Sequence, residues 1–264
     1  MTNLSLQSAS EPLSTLKREG KSDLAYVYIP PGPAGEALPL VMFCGGYRSD
    51  MNGTKALYLE ERCKARGQGY VRFDYSGHGA SGGEFNEGTI GAWLGDAEDV
   101  LDHVAKGPVL AVGSSMGGWI ALLLAQARAG KVQGVVGIAA APDFSEELFA
   151  RLAPEQQDEM RRAGFVEVPN DYSDEPYYYS RSFYEEAKAH LLLTGPQVAD
   201  YPIRLIQGMK DKDVLWETAA KIQKNYSSGD VDIVFVDDGD HRLSRPEDLE
   251  LIDREIRALN EALS

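Results

Sequence analysis

The sequence predicts an α/β fold: a mostly parallel sheet with helices on both faces, an N-terminal antiparallel hairpin and a small helical cap. Two observations carry that prediction. Short, near-continuous apolar runs recur at 40–44, 69–73, 109–112, 135–139, 203–206 and 231–236, the pattern of strands buried on both faces. Between them lie amphipathic stretches of helical period at 54–66, 89–104, 116–128, 215–225 and 246–262, and such alternation builds βαβ units. A chain of 264 residues, 43% of them hydrophobic and with no break in composition, suffices for one domain with a large core.

The first elements, 13–19 and 24–29, read as a hairpin around the turn Gly20-Lys21-Ser22-Asp23, and Pro30-Pro31 ends the second strand. Strands and helices then alternate as far as Asp143. From Asp143 to Asp200 the alternation stops, and helical stretches appear at 146–163 and 182–193. An insertion after a strand's C-terminal end lies where open α/β sheets carry their sites, so 143–200 is expected to form a cap within the single domain 1–264. The last helix opens with Ser244-x-x-Glu247, a capping box with a proline in the first turn.

A net charge of −15 argues against nucleic-acid and anionic-membrane partners. No stretch is long and apolar enough to span a bilayer. Residues 1–14 are polar and Ser/Thr-rich, without the pattern of a secretory or mitochondrial leader, so a cytoplasmic location is expected. Cys44 and Cys63 lack redox or metal spacing and read as small buried residues in a reducing compartment.

The chemistry is concentrated at Val109-Leu110-Ala111-Val112-Gly113-Ser114-Ser115-Met116-Gly117-Gly118-Trp119. An apolar strand turns here into a helix through glycines two residues before and two after Ser115. A nucleophilic serine on a strained elbow needs small residues at those positions, because strand and helix crowd there. A serine nucleophile needs a base, and the base needs an acid that holds its tautomer. In sheets of this type the order along the chain is Ser, then Asp or Glu, then His. His78 and His103 precede Ser115 and His190 lies in the cap, which leaves His241, in the turn-rich loop Asp237-Asp238-Gly239-Asp240-His241. That loop lacks the second histidine or carboxylate spacing of a metal site, so no metal is expected.

For the acid, Asp211 and Asp213 compete in the loop after strand 203–206, with Asp143 a further alternative. Asp213 immediately precedes a helical run, where an aspartate caps free amides, and that role leaves Asp211 for the triad. The oxyanion of an acyl-transfer intermediate needs two amide donors. Met116, after the nucleophile, supplies one, and Tyr47, after the pair Gly45-Gly46, supplies the other through its backbone.

These motifs resemble the α/β-hydrolase superfamily over about residues 26–259. Phe73-Asp74-Tyr75-Ser76-Gly77-His78-Gly79-Ala80-Ser81 looks like the structural turn that these enzymes carry after the fourth strand, which makes His78 a turn residue. Three further segments are similar to the branch of mitochondrial palmitoyl-protein thioesterases and acyl-glucuronide esterases. They are Ser49-Asp50-Met51-x-Gly53-Thr54-Lys55-Ala56, Gly208-Met209-x-Asp211-x-Asp213-Val214-x-Trp216 and Asp240-His241-Arg242-Leu243-Ser244. The resemblance implies esterase or thioesterase activity with Ser115, Asp211 and His241 as triad. Gln207 and Gly45 depart from it where many relatives carry histidine, and Leu215 departs where proline is usual.

The aromatic cluster Tyr172, Tyr177, Tyr178, Tyr179, Phe183 and Tyr184 lies between the cap helices, and Tyr177, Tyr178 and Phe183 are candidates to line an acyl pocket. Arg48 and Arg242 read as solvated surface. The leading function is a serine hydrolase of small or acylated esters or thioesters, without a cofactor, since no Gly-x-Gly-x-x-Gly opens a first βα unit. An amidase or peptidase on the same triad, or a non-catalytic binding protein on this fold, are the alternatives.

Overall fold

The computed structural model describes residues 12–169 and 176–263. Its strands are β1 (Ser14–Leu16), β2 (Leu24–Ile29), β3 (Leu40–Cys44), β4 (Tyr70–Phe73), β5 (Val109–Ser114), β6 (Val132–Ile138), β7 (Phe165–Val168), β8 (Tyr177–Ser180), β9 (Ile203–Gly208) and β10 (Val231–Val236). Its helices are α1 (Thr54–Ala65), α2 (Ile90–Val104), α3 (Met116–Ala127), α4 (Phe144–Arg151), α5 (Pro154–Ala163), α6 (Arg181–Ala187), α7 (Trp216–Asn225) and α8 (Pro246–Leu263). Eight strands form one sheet in the order β1-β2-β4-β3-β5-β6-β9-β10. The β1–β2 and β2–β4 pairs are antiparallel and every other pair in that sheet is parallel.

Alternate residues of each central strand feed two separate cores. Val41 and Phe43 of β3, with Leu110 and Val112 of β5, pack with Leu59 and Cys63 of α1 and Ile252 and Ile256 of α8. Met42 and Ala111 face the other way, toward Trp93 and Val100 of α2, Trp119 and Leu122 of α3 and Ile222 of α7. The two-residue side-chain period of a strand turned one apolar run into two layers of contact.

The segment between β6 and β9 departs most from expectation. Predicted as a helix over 146–163, it is broken at Leu152-Ala153 into α4 and α5, because Pro154 cannot continue a helix but suits the first turn of a new one. The second predicted helix ends at Ala187 and gives way to a 3-10 turn, Lys188–His190. Between them β7 and β8 pair antiparallel, so Tyr177, Tyr178 and Tyr179 lie on a strand, where β-propensity of aromatics outweighs any helical pattern. Tyr172 lies outside the described residues.

Two predicted caps also moved by a residue or more. In α8 the carboxylate of Asp248 accepts from the Arg245 amide at 3.0 Å, so the acidic half of the cap pairs Arg245 with Asp248, and the box Ser244–Glu247 does not form. At α7 the N-cap is Leu215, not Asp213, with no side-chain hydrogen bond.

Close approach explains two glycines. A Cβ on Gly113 would lie 2.0 Å from the Gly117 carbonyl oxygen, and one on Gly117 would lie 2.0 Å from that of Cys44. Gly117→Ala must therefore push α3 off the sheet, and we expect a loss of about 3 kcal/mol or more in urea unfolding. Gly95→Ala, in α2 with open space around it, should instead gain about 0.5–1 kcal/mol, since alanine loses less backbone entropy in a helix. Equal effects of opposite expectation would contradict this account of the packing.

Candidate active site

Strand order places the site. The chain runs from β3 to β4 on one side, then returns to lay β5 on the other side of β3, so the direction of winding reverses between β3 and β5. Cys44 and Gly113 stand in register there, and the loops that leave the two strands diverge into a crevice at the carboxyl ends. Ser115 begins one of those loops and Gly45-Gly46-Tyr47 the other.

Ser115 adopts φ 56° and ψ −121°, a conformation costly for a residue with a Cβ. The surroundings hold it there: its amide donates to Ile138 O at 2.9 Å, and its carbonyl accepts from Gly118 N at 2.9 Å and Ala141 N at 3.1 Å. Of residues 109–125, which run through β5 and most of α3, Ser115 alone is not buried.

The loops after β9 and β10 bring the other two candidates together. His241 Nδ1 lies 2.9 Å from Asp211 Oδ2. The second oxygen of Asp211 accepts from the amides of Asp213 and Val214, both at 2.9 Å, so the aspartate turns the loop as well as meeting the histidine. Capping logic selected Asp211 through a helix start that lies further along the chain; the amides that need an acceptor are taken by Asp211 itself. Asp143 is elsewhere: its carboxylate accepts from Leu192 N and Leu193 N at 2.7 and 2.8 Å, pinning the far end of the 143–200 segment to its beginning. Burial pushes its carboxyl up from the ordinary aspartate value, against those two amides.

Residues that sequence reasoning left aside support these loops. Gln207 Nε2 donates to Asp211 Oδ2 at 3.3 Å and to Val214 O at 2.9 Å, so the position that departs from the family pattern braces Asp211. Lys55, near the start of α1, donates its ammonium to Arg242 O and, at 3.5 Å, to Ser244 Oγ. It thereby ties one family-like segment to another 187 residues away. Asp240 Oδ1 accepts from the Arg242 and Leu243 amides and completes the turn after His241.

In the loop after β3, Gly46 passes so close to the elbow that a Cβ there would lie 3.5 Å from Ser115 Cβ. Among the described residues no protein acceptor bonds to the backbone N–H of Tyr47 or Met116. The Tyr47 side chain, left out of the sequence reading, is at the centre of the aromatic cluster. Its ring stacks on Tyr179 at 5.2 Å and 19° and lies within 6.1 Å of Tyr177 and 5.8 Å of Phe183. The Tyr178 ring stacks instead on Phe165, at 5.0 Å. Arg48 is more than solvated surface, since its guanidinium donates to Pro176 O at 2.8 Å.

With that geometry in place, comparison with known proteins is decisive. The model of the alpha/beta hydrolase family matches residues 52–250. The chain belongs to the α/β-hydrolase family. It is 40% identical over 253 residues to the human mitochondrial palmitoyl-protein thioesterase ABHD10, covering 96% of this chain and 81% of that one. The mouse alpha/beta hydrolase domain-containing protein 10 superposes with a TM-score of 0.88 at 39% identity, over 96% of this chain and all of that one. A crystal structure from Agrobacterium vitis S4 gives a TM-score of 0.88 at 40% identity, over 95% and 100% of the two chains. This hydrolase therefore shares both the fold and much of the sequence of these relatives.

One expectation is overturned. The human, orangutan and bovine relatives are mitochondrial, which contradicts the cytoplasmic location expected from residues 1–14. Location is read from a targeting segment by an import machinery, and the packed α/β core carries no imprint of it. No helix among the described residues is long and apolar enough to cross a membrane.

Elsewhere the hydrolase keeps its titratable groups quiet. Burial pushes the thiols of Cys44 and Cys63 up to about 12, and both are free and buried. His78 sits in the turn after β4 with its ring edge-on to Tyr75, Phe85 and Trp93, and burial lowers its imidazole below the ordinary value. Lys55 differs: burial lowers its ammonium to about 8, against Asp240, which raises it. Between pH 8 and the ordinary 10.5 the unfolded chain binds more protons than the folded one, so stability contributed by this group rises with pH there. Relative to Lys55→Met, the parent's urea midpoint should gain steadily across that window; a constant gap would rule out the shift.

Proposed function

We propose that the protein is a serine hydrolase that cleaves carboxylic esters or thioesters of acylated substrates through Ser115, His241 and Asp211. The observation that carries the proposal is Ser115 itself: a strained, partly exposed serine at the end of a buried strand, at the switch point of the sheet. The His241–Asp211 contact supports it, because Nδ1 is engaged and Nε2 is left as the nitrogen that accepts a proton.

Ser115 Oγ attacks the acyl carbonyl while His241 takes its proton, and Asp211 stabilises the imidazolium and holds its orientation. The amides of Met116 and Tyr47 receive the oxyanion. Collapse of the tetrahedral intermediate expels the alcohol or thiol, which takes the proton from His241, and leaves an acyl-enzyme. Water, activated by the same histidine, then releases the acid and restores the serine. Residues 143–200 act as a cap on the single domain, and the rings of Tyr177 and Phe183 favour an apolar acyl group. The likeness to a palmitoyl-protein thioesterase makes a long-chain acyl thioester the preferred substrate class.

A fluorophosphonate probe should label the parent and not Ser115→Ala, and that variant should lose ester turnover by at least about 10³-fold. Asp211→Asn should lower kcat by roughly 10⁴-fold with KM little changed. Labelling of Ser115→Ala equal to that of the parent would sink the assignment. In a series of matched acyl thioesters, kcat/KM should rise with chain length, and the matched amides should turn over far more slowly; a flat series would remove the long-chain preference while leaving the triad in place.

A further inference from the structure

Two neighbouring side chains of the loop after β3 grip β8 and the residue just before it. Tyr47 donates its hydroxyl to Tyr178 O, and Arg48 donates to Pro176 O, so two successive residues of the loop bind alternate carbonyls of one extended run. The Tyr75 hydroxyl donates to Gly45 O at 3.4 Å, and the Arg48 guanidinium lies over the Phe85 ring. The loop begins with Gly45-Gly46, turns through a Ser49 N to Gly46 O bond of 3.1 Å, and places Arg48 at φ 57°, a left-handed conformation that glycine or asparagine would adopt more readily. Tyr47 is half-buried, and desolvation raises its phenol well above the ordinary value and keeps it a donor. Its ring is packed by Phe85, Trp93, Phe144 and Tyr179, which come from three different parts of the chain.

Resting on the oxyanion role proposed above, we infer that Tyr47 is a positioning residue whose side-chain hydroxyl, anchored on β8, aims its own backbone amide at the reacting carbonyl. The amide and the anchor belong to one residue, so the lever is short: movement of β8 moves the donor. Arg48 strengthens the same grip from the next position. An acyl chain that presses on Tyr177 or Tyr179 therefore acts on the oxyanion donor through β8, which couples the cap to the chemistry rather than to binding alone.

Tyr47→Phe keeps the ring and removes only the anchor. Losing a whole oxyanion donor costs on the order of 10² to 10³ in turnover, so loosening one should cost about tenfold. Rates on p-nitrophenyl butyrate, per serine titrated by fluorophosphonate, should show kcat reduced about tenfold with KM within about twofold. Arg48→Gln should move kcat in the same direction by less. A merely structural role would lower the titrated fraction and leave kcat per site unchanged. If kcat per titrated site stays within about twofold of the parent in both variants, or only KM moves, the inference is overturned. If the parent itself is not labelled at Ser115, the nucleophile assignment falls first and this inference with it.

Discussion

The turn at Ser115 is the constraint on which the rest of the structure depends. Its backbone is costly for any residue but glycine, and it persists because β5 and most of α3 are buried and Ser115 is tied by its amide to Ile138 at the end of β6 and by its carbonyl to the Gly118 and Ala141 amides. Gly117 lets α3 press against the carbonyl ends of β3, and that same contact brings the Gly45-Gly46 loop beside the serine. One packing requirement thus exposes the serine and sets the loop that faces it. The strain is supported by core burial on both sides, which is why the elbow lies at the centre of the sheet and not at an edge.

The groups around the serine are held by hydrogen bonds between loops, and each support has a second role. Asp211 turns its own loop with one oxygen and meets His241 with the other, while Gln207 braces it from the end of β9. Lys55 reaches from α1 to the loop that carries His241, so the helix layer on one face of the sheet is tied to that loop. Tyr47 likewise ties the loop after β3 to β8. Rigid strands carry the loops, and side chains from remote elements fix their ends, a division that lets a common fold vary its loops without moving its strands.

The elements that were legible in the sequence are those in which local pattern and tertiary role agree. The strand 40–44 was readable to the residue, because an apolar run buried on both faces has no competing pattern. That Ser115, Asp211 and His241 lie on loops after separate strands was readable because each follows its own apolar run, and the structure brings the last two into contact. The 143–200 segment was not: its amphipathic stretches are short, Pro154 divides one of them, and the run of tyrosines forms a strand only because Phe165-Val166-Glu167-Val168 is available to pair with it. Asp211 was reached through a helix start at Asp213 that the fold does not use; the underlying physics, free amides seeking a carboxylate, was right and the acceptor was two residues earlier.

What the sequence determined by itself was the α/β alternation, the elbow and the candidate set, since these rest on periodicity, glycine placement and chain order, all of which are local. What only the tertiary structure decided was the side-chain role of Tyr47, the brace of Gln207 and the reach of Lys55. Tyr47 and Lys55 meet carbonyls 131 and 187 residues away, and Gln207 meets a carboxylate placed by the fold of its own loop, so nothing in local patterning names the partner. Burial makes such meetings obligatory, because an unpaired polar group is costly there, but the partner is chosen only when the layers close.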